Sequence, residues 1–285
     1  MLVTFNEFDS RLPSGRLWKS FAPPTSMGPM GSTWITPSGN PAFGFFDNFN
    51  SFQATSLEGP YLLLEGTGCT IEQIADTANE KGLVQVAIDG NADNDEAILQ
   101  WGRGLGAPFK LADSDLVFEA RFTVTDVTAA KHNFAVGLGA VGMGATDALF
   151  TDANIIADNN FCGFVKLVAE STALDAAYKA DGQTYQDGAT KTKLNALSTL
   201  AAATYVKVGF RYRAYPKKLE FYVDNALPGG LITPARLTAS ELDAATFPDD
   251  VFLAPIIGIK DSAGDAALTV NLDWWACAQM LAPAT

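Results

Sequence analysis

The acidic run Asp89-Gly-Asn-Ala-Asp-Asn-Asp-Glu96 sets oxygen-bearing side chains at positions 89, 91, 93, 95 and 96, the close spacing of hard donors that suits a calcium ion. Asp89, Asn91, Asp93 and Asp95 are the ligands such a site would use. Against the helix-loop-helix calcium template the run fails twice. Asn94 stands where the sharp-turn glycine belongs, and Gln100 stands where the bidentate glutamate belongs. A connection between two strands is rich in Asp, Asn and Gly for turn reasons alone. A solvated loop is therefore the expectation, structural calcium is its alternative, and no other cofactor is expected.

Other chemistry is constrained by what the chain lacks. Glycoside hydrolysis on a β-sandwich needs two carboxylates projecting from one strand face. Glu220 and Asp224 have the right parity, but Lys217, Lys218, Arg211 and Arg213 lie close by and favour cross-strand ion pairing. His132 is the single histidine, so it would have to serve any Ser-His pair, and a multi-His metal centre cannot be built from one chain. Gly137-x-Gly139-x-x-Gly142 matches a dinucleotide-binding spacing, yet no βαβ alternation surrounds it, so it reads as a glycine-rich sandwich loop. Cys69, Cys162 and Cys277 lie far apart and read as small buried apolar residues. No catalytic set emerges, and a non-enzyme is expected. Four aromatic residues, Trp101, Tyr212, Tyr215 and Trp275, are candidates for stacking on sugar rings, with packing in the core or at its rim as the alternative.

The elements that must carry these residues are strands. From about Leu57 onward the hydrophobic period is mostly two. Leu116, Phe118, Ala120, Phe122 and Val124 alternate with Glu119, Arg121 and Thr123, and Val206, Val208, Phe210 and Tyr212 alternate with Lys207, Arg211 and Arg213. Near the end, Leu268, Val270, Leu272, Trp274 and Ala276 are assigned to one face, opposite Asn271, Asp273, Trp275 and Cys277. Shorter runs at 61–65, 83–88, 97–101, 134–138, 161–168, 219–223 and 252–259 bring the total to about ten strands, which predicts an all-β, antiparallel two-sheet sandwich. Helix is expected in few places. Thr70-Ile-Glu-Gln73 resembles a capping box opening a helix to Lys81, Thr238-Ala-Ser-Glu241 opens a short helix before Pro248, and 174–179 is a further helical candidate.

The front of the chain differs. Six of the 14 prolines fall within residues 1–41, beside Phe5, Phe8, Trp18, Phe21 and Trp34. Such a stretch suits neither a long helix nor a central strand. Residues 1–45 read as an extended anchoring arm, with Arg11, Arg16 and Lys19 adding basic contacts, and 46–285 as the sandwich domain. The alternative is that this arm packs on its own domain. The whole chain of 285 residues has 48% hydrophobic residues and a net charge of −13, so it can bury a sizeable core but would repel nucleic acid. Neither a membrane span nor a secretory leader is expected, and synthesis in the cytoplasm follows.

Seven segments occur in an order that identifies a resemblance. They are Phe118-Glu-Ala-Arg-Phe-Thr-Val124, Phe134-Ala-Val-Gly-Leu138, Phe161-Cys-Gly-Phe-Val165, Val208-Gly-Phe-Arg-Tyr212, Leu219-Glu-Phe-Tyr-Val-Asp224, Phe247-Pro-Asp-Asp250 before Ile256-Ile-Gly-Ile259, and Val270-Asn-Leu-Asp-Trp-Trp275. Over residues 57 to 281 the chain resembles the concanavalin A-like (laminin G-like) jelly-roll modules of tailed-bacteriophage virions. The resemblance implies a jelly roll and a capsid decoration protein on the virion surface, made in the host cytoplasm. Its implied partners are the major capsid protein or other virion subunits, with the chain itself forming a homo-oligomer. The charged fraction of 18%, below the ~25% of ordinary domains, agrees with a surface covered by neighbours. A carbohydrate-binding receptor module, with calcium at 89–96 and glycan on the aromatics, is the alternative function.

Overall fold

The alternation of apolar and polar residues is realised as two sheets in which every strand pair is antiparallel. The structure is a computed structural model that describes residues 18, 31–36, 39–49, 60–74, 82–90, 94–103, 109–112, 114–128, 131–143, 149–151, 156–170, 172–224, 235–262 and 267–281. The first sheet runs in the order β1 (Ser32–Ile35), β2 (Pro41–Asp47), β16 (Leu268–Met280), β7 (Leu116–Val124), β12 (Val206–Arg213), β13 (Lys218–Asp224) and β14 (Ala235–Leu237). Off this path, β5 (Leu83–Ile88) pairs with the first half of β16 and carries β4 (Cys69–Ile74) on its other edge. The second sheet runs β11 (Ser198–Thr199), β10 (Ala173–Lys179), β9 (Phe161–Lys166), β8 (His132–Ala140), β15 (Leu253–Asp261), β6 (Glu96–Trp101) and β3 (Tyr61–Glu65).

Aromatic side chains join the two layers. Phe122 meets Phe134 with ring centroids 4.7 Å apart, Phe221 meets Phe164 at 5.4 Å, and Phe45 stacks on Trp101 at 4.5 Å. Each fully buried ring of this kind contributes about 1.5–3 kcal/mol by leaving water. The outer side of the second sheet is covered as well. Met143, Leu149, Phe150, Ile156 and Tyr185 pack over Ile98, Ala135, Phe161, Val165 and Ile256. Burial on both sides explains why β6, β9 and β15 have no exposed residue. The Gly137 position is tight for a related reason. It pairs in register with Gly163, and a Cβ on it would lie 2.4 Å from the Cys162 carbonyl oxygen.

Several expectations change. The capping-box segment at 70–73 is strand β4, with Cys69 and Ile71 buried and Thr70 and Glu72 exposed, so a period of two prevails where a helix was expected. The residues beyond Ile74 to Lys81 lie outside the described set. The 174–179 helix is instead strand β10, with Leu174, Ala176 and Tyr178 turned into the intersheet core. The capping box at Thr238 is real: it opens the short helix α1 (Ala239–Leu242). In β16 the assigned parity holds up to Leu272 and then reverses, because a register irregularity between Leu272 and Trp274 inserts a bulge. Trp275 and Cys277 consequently face the intersheet core, and Ala276 and Ala278 face outward.

Among the first 45 residues, the described ones are tied to the sandwich. β1 and β2 pair residues 32–35 with 41–44, and β2 continues into the sheet against β16, so the strand crosses the expected boundary at 45. Pro41 is tolerated because it opens its strand. Trp18 is 1% exposed and sits on the outer face of the first sheet against Ala42, Val117, Ala276 and Ala278, with its Nε1–H donating to Glu119 Oε2 at 2.7 Å. Trp34 packs on the edge of this same cluster. These two tryptophans, expected to hold a partner, lie on the chain's own sheet. Phe5, Phe8, Arg11, Arg16, Lys19 and Phe21 lie outside the described residues. Replacing Trp18 by Ala should lower unfolding stability by about 3 kcal/mol or more, since a large buried ring is lost and the Glu119 carboxylate loses a donor. Chemical denaturation checks this, and an unchanged midpoint would show that Trp18 contributes nothing to the sandwich.

Candidate functional site

A cleft of about 410 Å3 lies at one end of the sandwich, lined by Ala112, Tyr212, Ala214, Tyr215, Lys217 and Asp249. Three connections build it: the tip of the β12–β13 hairpin, the segment before β7 and the loop before β15. Parity places Tyr212 on the inner face of β12, where it is buried. Its hydroxyl donates to the Ala112 carbonyl at 2.6 Å, and its ring lies nearly parallel to Phe247, 23° from coplanar. The hairpin tip is fastened by Asp115, whose Oδ1 accepts the Ala214 N–H at 3.0 Å while Arg211 Nη2 lies 3.5 Å from Oδ2.

The charged wall is equally well placed. Lys217 Nζ sits 2.6 Å from Asp243 Oδ1 and 3.0 Å from Asp249 Oδ2. Partial burial would pull the ammonium down, but these two carboxylates hold it above its ordinary value, so it stays charged. Tyr215 lines the same cleft with 94% of its surface exposed, and Phe252, on the loop that carries Asp249, is 60% exposed. A flat aromatic face free to stack, beside a fixed ammonium and a fixed carboxylate, offers both halves of sugar recognition: an apolar platform for ring C–H groups, and paired donor and acceptor positions for hydroxyls.

Of the four aromatics named for glycan contact, the structure brings Tyr212 and Tyr215 together and leaves only Tyr215 available as a stacking face. Trp101 and Trp275 are buried in the intersheet core, each packed on Phe45, so they are corrected to core residues. Tyr212 serves as the cleft floor. Lys217 and Asp249 were missed as site residues because their neighbours across the cleft come from segments about thirty residues apart. The only local signal was the turn-forming Tyr215-Pro-Lys217.

The other candidates occupy different places. Asp89 and Asp95 are described, whereas Asn91 and Asp93 are not. Asp95 is raised by burial and by the Asp89 and Asp261 charges, and Cys69 beside them is pushed up to about 12 chiefly by burial. Among the described residues no group of three or more His, Cys, Asp or Glu side chains is placed to hold a metal ion. All three cysteines are buried and unpaired, as expected of apolar fillers. Glu220 is enclosed by Lys218 Nζ at 2.6 Å, Arg236 Nε at 3.0 Å and the Tyr222 hydroxyl at 3.2 Å. Burial is the largest single effect and pushes its carboxyl up, but the Lys218 ammonium, the Tyr222 hydroxyl and the Arg213 charge together outweigh it and the net shift is down. This is the ion-pairing role expected for it, and a poor setting for a general acid.

No protein-family model matches the chain, and no curated protein matches it. Solved structures do. A protein of unknown function from Shewanella oneidensis MR-1 superposes with a TM-score of 0.54 at 13% identity, covering 86% of this chain and 89% of that one. Basic winged bean lectin, solved with Tn-antigen, gives 0.53 at 12% identity over 85% of this chain and 100% of the lectin. Peanut lectin gives 0.50 at 14% identity over 85% and 99%. At such identities the likeness establishes the fold, a lectin-like jelly-roll sandwich.

His132 is enclosed at the start of β8, with Nε2 3.6 Å from Asp126 Oδ2 and Nδ1 3.9 Å from Asp261 Oδ1. Burial is the main effect on it and holds its pKa below the ordinary 6.5, against the pull of the two carboxylates. The folded state therefore sheds this proton more readily than the unfolded chain does, and stability is lost as pH falls from about 6.5 through the folded value. Because the chain has one histidine, a single imidazole signal in proton NMR reports the site. Its midpoint is expected below 6.5, and a midpoint at or above 6.5 would contradict the burial argument.

Proposed function

We propose that this chain is a carbohydrate-recognition module that binds glycan without turning it over. The single observation that carries the reading is the exposed Tyr215 ring lining the same cleft as the Lys217–Asp249 pair. In this reading a pyranose stacks on Tyr215, Asp249 accepts from one hydroxyl, and Lys217 donates to another while remaining paired with Asp243. Both charged groups are held in ion pairs, which suits them to orienting a ligand and not to attacking one. The lectin-like jelly roll supports the reading at the level of fold alone. Tyr215→Ala should abolish binding on a glycan array while leaving the thermal midpoint within about a degree, because a residue so exposed supports no core. An array profile that survives this substitution would refute the assignment of the cleft.

A second reading is that of the virion: a bacteriophage surface subunit, bound to the major capsid protein or to copies of itself. One observation favours it. Ile35, on the edge strand β1, is 66% exposed, and Leu281, whose N–H bonds to Pro41 opposite Ile35, is 41% exposed. An apolar side chain on an open strand edge is suited to pairing with a neighbouring chain. If this edge joins subunits, Ile35→Lys should convert a homo-oligomer to monomer by light scattering. A wild-type chain that stays monomeric at high concentration removes the support this edge gives.

A further inference from the structure

The connection between β10 and β11 is fastened to the outer side of the second sheet by carboxyl groups. Asp175, on the outward face of β10 and buried, accepts the Ala196 N–H at Oδ1 over 2.5 Å. Gly188 approaches the other oxygen so closely that a Cβ would lie 2.3 Å from it. Asp187 holds the adjoining turn, with Oδ1 accepting the N–H groups of Ala189 at 2.9 Å and Thr190 at 3.1 Å. Tyr185, 8% exposed, roots the same segment in the apolar cluster over the sheet. Glu170, in the β9–β10 turn, is near enough for the Asp175 and Asp187 charges to act on it. At the junction the buried Tyr185 hydroxyl has no partner and the buried Glu170 Oε2 and Asp175 Oδ2 meet no fixed donor, so the two carboxyl groups can hydrogen-bond to each other only through a proton carried by one of them. Glu170 and Asp175 cannot both carry charge in so enclosed a place without repelling one another.

We propose that Glu170 and Asp175 form a proton-operated latch: a proton held between them keeps the 185–196 segment closed on β10, and its loss releases the segment.

The working range follows from the groups that face one another. Burial raises the Glu170 carboxyl to about 7, with the Asp175 and Asp187 charges adding to it, and burial also raises Asp175. The hydrogen bond between them raises Glu170 and lowers Asp175, so the shared proton resides on Glu170. Tyr185 is pushed well above its ordinary value, first by burial and then by the three carboxylates, and remains neutral throughout. The cation facing Glu170 is Lys166, which burial lowers to about 8 and whose Nζ lies 3.2 Å from the His132 carbonyl. Within the segment, Lys191 and Lys193 lie 4.0 and 3.4 Å from Glu241 of α1. Between about 4.5 and about 7 the folded chain holds a proton at Glu170 that the unfolded chain has released. Stability contributed here is complete below 4.5 and declines as pH rises through 7.

Hydrogen exchange of the full chain at pH 6 and pH 8, corrected for intrinsic rates, tests the latch whatever the cleft binds. Protection across 185–196 should fall by about tenfold at pH 8, while β8 and β15 keep theirs. Glu170→Gln, which keeps the shape without the charge, should hold the segment closed at both values. Equal protection at the two pH values in the wild-type chain would overturn the proposal, as would a pH-dependent loss that persists in Glu170→Gln.

Discussion

The pairing of β16 is the constraint on which the rest of the molecule depends. Along one side it is bonded to β7 over nearly its whole length, and along the other to β5 first and then to β2. Three segments far apart in the chain thus take their register from one strand. The bulge after Leu272 is part of this arrangement. Before it, Val270 and Leu272 face the intersheet core; after it, the turn of the strand brings Trp275 into the same core, beside Phe45, Phe49 and Tyr61. Without the extra residue, parity would leave the large indole of Trp275 facing away from that aromatic group.

Local burial on the outer side of the first sheet, around Trp18, Val117 and Ala276, has a polar consequence. Two outward-facing residues of the first sheet that parity would leave in water, Glu119 and Arg121, are enclosed, and both have a partner. Glu119 accepts from Trp18, and Arg121 pairs with Asp273 and lies over the Tyr205 ring, 3.6 Å from its centroid. A similar link crosses the layers, where the Tyr61 hydroxyl of β3 donates to Asp47 of β2. Buried charge is costly unless paired, so these contacts set which outer surfaces can be covered at all.

The end of the sandwich that carries the cleft follows a different rule. There the strands stop, and connections from three places meet around Tyr212. Its buried ring and its hydroxyl bond to Ala112 make a rigid floor, and Asp115 fixes the hairpin beside it. The exposed Tyr215 is thus presented from a held position, which lowers the entropy a ligand must overcome on binding. The Glu170–Asp175 group stands apart from this region and fastens a separate connection.

Strand positions were legible because burial of one side imposes a period of two that composition cannot hide. The runs at 116–124 and 206–213 are plain in the residues alone. Legibility failed where a local signal competed with long-range pairing. Thr70 to Gln73 carries the residues of a helix start, yet pairing with β5 holds it extended. A single inserted residue in β16 moved Trp275 inward, an outcome no periodicity reading could anticipate, since a bulge leaves the alternating composition unchanged. The sequence by itself determined an acidic, all-β chain of two apolar-faced layers, since those properties depend on residue type and spacing within a few positions. Only the tertiary structure decided that Trp18 lies on its own sheet, that Trp101 is core, and that Tyr215 meets Lys217 and Asp249. Those facts depend on which distant segments pack together, and packing is settled by the whole set of contacts at once.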